Sequence, residues 1–149
     1  MSTIQVDAKA NSIADGNAAV FTFSKPVEIG DKIFVTVPIS DFWKSGNSGR
    51  SIGADGVPVD DGVPNWSSVD PKTPKANRVP NTPNAVNYQF AVGCLVGSLD
   101  GGNTFFSIGT NFQMTVLSGE ADSLSLYFWD INNNDNSGTI TANVEVYTP

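Results

Sequence analysis

Apolar residues in this chain recur every second position, or in short runs, and almost nowhere with a helical period. The stretches are IQVDA (4–8), AVFTF (19–23), KIFVTV (32–37), YQFAVGCLV (88–96), FQMTV (112–116), SLSLYFW (123–129) and TITANVEVY (139–147). In the last, Ile140, Ala142, Val144 and Val146 share one face, while Thr139, Thr141, Asn143 and Glu145 share the other. That alternation predicts a half-buried antiparallel strand. Leu124, Leu126 and Phe128 form a similar inward row. Clusters of Gly, Asn, Asp and Ser separate the runs, as turns require. Seven or eight short strands punctuated this way predict an all-β fold, an antiparallel β-sandwich.

Residues 44–87 break the pattern, holding six of the nine prolines and five glycines. The expectation is one domain over 1–149, with 44–87 as a long Pro/Gly-rich loop of the kind that is usually functional or disordered. The chain length suits a single core.

Composition removes several function classes. There is no histidine, which excludes Ser–His–Asp and Cys–His catalysis and imidazole metal sites. A net charge of −7 disfavours nucleic acid and anionic membranes. No apolar run approaches the roughly 20 residues that span a bilayer, so membrane insertion is not expected. The start, MSTIQVDAKANS, lacks the features of a cleavable signal. The reading is synthesis in the cytoplasm, with release or association with the cell surface left open. The single cysteine, Cys94, lies in an apolar run and reads as a buried, inert thiol.

One stretch concentrates hard oxygen donors. WDINNNDNSGT (129–139) carries two aspartates and four asparagines and leads into the last strand. Calcium takes six to eight oxygens from carboxylates, amide and main-chain carbonyls and water. Asp130, Asp135 and Asn136 would supply side-chain ligands, and Asn132, Asn133 and Asn134 favour the tight turns that aim carbonyls inward. Two carboxylates would also balance a divalent charge. The D-x-N-x-N start imitates an EF-hand, but that loop needs glycine at Asp135, glutamate at Thr141 and flanking helices. A solvated turn that binds nothing is the alternative reading of the same residues.

Four segments together resemble the bacterial PA-I galactophilic lectins, the LecA-like calcium-dependent galactose-binding family. They are VEIGDKIFVTV leading to Phe42 or Trp43, GCLVGSLDGG, FSIGTNFQMTV, and LYFWDINNNDNSGTITANVEV, the last being the specific one. The resemblance implies a jelly-roll-like, galactose-binding-domain-like sandwich. It implies calcium held by Asp130, Asp135 and Asn136 with main-chain carbonyls of Trp43 and Asn133. Asp130 and Asp135 would touch sugar as well, and the Ile131 backbone would line it. In such lectins vicinal sugar hydroxyls complete the ion's coordination. The family's sugar-contacting histidine and glutamine have no counterpart, because the corresponding segment here is longer, proline-rich and free of histidine. Asp55, in GADG, could accept hydrogen bonds from a sugar, and Trp66, in PNWSS, could stack on a pyranose face.

The expected function is a non-enzymatic, Ca2+-dependent carbohydrate-binding lectin. It would recognise galactose, galactosides or glycoconjugates and act as a homo-oligomer, a tetramer or dimer, since weak single sites gain from multivalency. A structural or adhesive sandwich whose calcium only stabilises a loop is the alternative. A glycosidase would need paired carboxylates. Asp55, Asp60 and Asp61 share one segment, but the three glutamates, Glu28, Glu120 and Glu145, are scattered.

Overall fold

The computed structural model describes residues 2–13, 17–44, 51–56, 90, 92–130 and 136–149. Among the described residues ten strands follow in order: β1 (Ser2–Asp7), β2 (Ala19–Val27), β3 (Lys32–Thr36), β4 (Trp43–Lys44), β5 (Ser51–Ile52), β6 (Leu95–Ser98), β7 (Phe106–Ser107), β8 (Asn111–Thr115), β9 (Ala121–Phe128) and β10 (Thr139–Tyr147). They build an antiparallel all-β sandwich. One sheet has the order β1-β10-β3-β8 and the other β2-β9-β6-β7, with β4 and β5 as a separate small pair. Apart from the β6–β7 hairpin, successive strands of the two large sheets cross from one sheet to the other. The connections therefore gather at the two ends of the sandwich.

Alternation sets the core. Val6, Ile33, Val35, Ile140, Ala142 and Val144 from one sheet meet Phe23, Leu95, Leu124, Leu126 and Phe128 from the other in a single buried cluster. Val146, expected inward, is 40% exposed near the end of β10, where it lines an open cleft with Phe21 and Phe23 of β2. β2 runs on past the predicted AVFTF to Val27. Its register shifts between Thr22 and Val27, where Pro26 has no N–H for the ladder; an edge strand tolerates this.

Three features depart from the sequence pattern. The run YQFAVGCLV does not extend as one strand: Gly93 adopts φ +88° and turns the chain, and β6 begins only at Leu95. The second sheet is also buried on both faces. Cys94, Val96, Tyr127 and Trp129 pack with Ile13 and Phe105 in a second cluster on the side away from the main core. Part of the expected 44–87 loop is structured as well. β5 pairs with β4, and Ile52 and Ala54 are fully buried in the main core.

Candidate metal centre

The candidate loop hangs between the end of β9 and the start of β10, and both of its ends are fixed by packing. On the incoming side, Phe128 and Trp129 are fully buried on opposite faces of their sheet. Phe128 meets the Trp43 ring edge-on at 4.5 Å, and Trp129 meets Phe90 at 4.8 Å. The main chain is pinned too, since Trp129 N–H donates to Cys94 O at 3.1 Å and Gly93 N–H donates to Trp129 O at 2.9 Å. Asp130, the next residue, is half-buried. Its carbonyl accepts a 2.8 Å hydrogen bond from the Ser12 hydroxyl.

On the outgoing side, Asn136 is 4% exposed. Its Nδ2 donates to the Ala8 carbonyl at 3.2 Å. A carbonyl can only accept, so the amide must turn its nitrogen toward Ala8 and its oxygen away. That oxygen, Oδ1, is buried without a hydrogen-bond partner. Leaving such an acceptor unsatisfied costs about 1–3 kcal/mol. Asn143 Oδ1 is also unpartnered, but it lies in mid-sheet opposite Thr3 and Thr36, with no carboxylate among its register partners. Asn136 differs in standing beside the acid-rich loop.

The structure brings Trp43 to this place. Lys44 and Ser137 exchange both main-chain hydrogen bonds, at 2.8 and 3.0 Å. A Cβ built on Gly138 (φ +92°) would fall 3.0 Å from Trp43 Cα and 3.3 Å from the Phe42 carbonyl oxygen. Of the two aromatic residues, Trp43 is the buried one, its indole N–H donating to Gly93 O at 2.8 Å, whereas Phe42 is 40% exposed. Asp41 holds this segment on β10 by accepting the Thr141 N–H at 2.8 Å.

Asp55 is engaged elsewhere. It bridges Cys94, and its carboxylate accepts the Thr110 N–H at 2.9 Å beside Gly109, anchoring the β7–β8 turn. Ile131, Asn133, Asp135 and Trp66 lie outside the described residues. Among the described residues no three carboxylate, thiol or imidazole groups converge on one point. Of the predicted ligands, the described residues hold Trp43, Asp130 and Asn136.

No protein-family model matches the chain, and no curated protein matches it significantly. The site stands on its own residues.

One part of it has no signal in the strand pattern. After β1, residues 7–12 form a self-capped turn: Asp7 Oδ1 accepts the Lys9 and Ala10 N–H groups at 2.8 Å each, and Asn11 Oδ1 accepts the Asp7 N–H at 2.8 Å. This turn touches both ends of the loop, through Ser12 to Asp130 and through Ala8 to Asn136 and to Gly138 O at 3.0 Å. Asp7, Asn11 and Ser12 mark a turn in sequence, but nothing local marks what it touches.

Proposed function

We propose that this protein is a calcium-dependent carbohydrate-binding lectin without catalytic activity, with galactose-type sugars as the favoured ligands. The observation that carries the reading is the buried, unpartnered Oδ1 of Asn136, turned away from Ala8 at the end of a loop rich in carboxylates and amides. A bound cation would give that oxygen the partner it lacks. Calcium would supply a Lewis-acidic centre to which vicinal sugar hydroxyls can add as ligands.

Asp130 and Asn136 then serve as the ligands at the two ends of the loop, and Asp135 and the Asn133 carbonyl are assigned to it by resemblance. The Trp43 main chain is assigned as the remote carbonyl source by resemblance; its Cα packs against Gly138, beside the Phe42 carbonyl. Asp130 and Asp135 accept hydrogen bonds from the sugar as well, with the Ile131 backbone beside it and Trp66 as a stacking surface. Few polar contacts act on a well-hydrated ligand, so each site binds weakly, on the order of micromolar to millimolar. A homo-oligomer, tetramer or dimer, raises the avidity. The net charge of −7 suits neutral glycans rather than nucleic acid or anionic membranes. Synthesis in the cytoplasm followed by release or surface association completes the reading.

A second reading keeps the calcium and drops the sugar: a structural or adhesive sandwich in which the ion staples a loop. The engagement of one Asp55 oxygen with Thr110 favours it, because that carboxylate already anchors the β7–β8 turn. Thermal melts separate the two. The lectin melts higher in excess calcium than in chelator, and higher again with galactose but not with glucose or mannose. A calcium rise that no sugar extends supports the staple. No calcium effect refutes both.

A further inference from the structure

The turn over residues 7–12 holds the two ends of the candidate loop at once, and that arrangement has its own consequence for the site. Resting on the calcium reading above, we infer that Ser12 is a positioning residue for the ion. Its hydroxyl holds the Asp130 main chain while the Ala8 carbonyl of the same turn orients the Asn136 amide oxygen.

The contacts are long-range, joining residues 118 and 128 positions apart. Ser12 is fully buried, and its hydroxyl donates to the Asp130 carbonyl at 2.8 Å. Next to it, Phe128 N–H donates to Asn11 O at 2.9 Å and Ser12 bridges Phe128 in parallel. Four residues earlier, Ala8 accepts from Asn136 and donates to Gly138 O. The side chains of Asp7 and Asn11 cap the turn with local hydrogen bonds, so its contacts to Asp130 and Asn136 are held from outside the loop. Outer partners of this kind orient metal ligands, and their loss typically weakens metal affinity about 10–100-fold.

The test compares Ser12→Ala with Ser98→Ala in the full chain. Ser98 is equally buried, and its hydroxyl bonds Asp100 and Gly102 in the β6–β7 hairpin, so its loss also removes a buried hydrogen bond. Each protein is stripped with chelator, melted, and titrated calorimetrically with calcium chloride alone. Both variants should melt below wild type in chelator. Only Ser12→Ala should bind calcium about tenfold more weakly. Asn11→Ala, which loosens the turn and leaves the Ser12 hydroxyl in place, should weaken binding in the same direction and keeps the test open if Ser12→Ala folds poorly. Wild-type affinity retained in a folded Ser12→Ala, or in Asn11→Ala where Ser12→Ala does not fold, or an equal loss in Ser98→Ala, overturns the inference while leaving the calcium reading intact. A wild-type protein that takes up no calcium overturns the reading and this inference with it.

Discussion

Replacing Asn136 by alanine removes two things of opposite sign. The Nδ2 bond to Ala8 O is lost, at about 1 kcal/mol. The buried, unpartnered Oδ1 disappears with it, relieving a cost of about 1–3 kcal/mol. In chelator the two terms net to between about 0 and 2 kcal/mol in the variant's favour, so it should melt between the wild-type temperature and about 8 °C above it, taking about 2–4 °C per kcal/mol at this chain length. Calcium breaks the symmetry. At a free concentration of 100 times Kd the wild type gains about 2.7 kcal/mol, or about 5–11 °C. If loss of this ligand weakens binding about 100-fold, the same calcium stabilises the variant by only about 0.4 kcal/mol, or 1–2 °C. The assay is differential scanning fluorimetry of both proteins in chelator and in calcium. Equal calcium increments, or a variant that melts more than about 8 °C low in chelator while calcium leaves the wild type unchanged, would refute the reasoning and make Asn136 a structural amide.

Other expectations follow from the same geometry. Asp130→Ala should abolish calcium and galactose binding together, read by calorimetry; loss of only one would break the shared-ligand assignment. Gly138→Ala should destabilise the fold by about 1–3 kcal/mol in denaturant melts, because a Cβ there meets the Trp43 main chain at 3.0 Å in a left-handed conformation. Unchanged stability would mean that the β4 contact gives way easily. The Cys94 thiol is pushed up to about 12, first by burial and then by the Asp55 charge, against the opposing hydrogen bonds of Ile108 and Gly109. It should resist disulfide reagents at neutral pH until the chain is unfolded. The unfolded thiol ionises first, so this contribution to stability is complete below about pH 8.5 and declines as pH rises toward the folded value. A Cys94→Ala variant should lack that alkaline component; an identical pH profile would contradict it.

Period-two alternation made most of the sandwich legible: the rows Ile140–Ala142–Val144 and Leu124–Leu126–Phe128 are buried as the pattern requires. Alternation could not announce the second buried face. Tyr127 and Trp129 are covered by Ile13 and Phe105, residues remote in sequence, and a strand buried on both sides loses its polar phase. The break at Gly93 was hidden for a different reason, since its apolar neighbours read as one continuous run while its positive φ ends the extension. Ile52 and Ala54 were missed because two core residues among glycines carry no period. At the candidate site, Asp130 and Asn136 were visible by composition and Trp43 through the family resemblance. The Ser12 and Ala8 contacts were not, because pairing across more than a hundred residues leaves no trace in local spacing.

The most direct measurement is calorimetric titration of chelator-stripped protein, first with calcium and then with galactose. The account predicts saturable calcium binding and a galactose signal that exists only in the calcium-loaded protein. No calcium heat, or a galactose signal that survives in chelator, would contradict it.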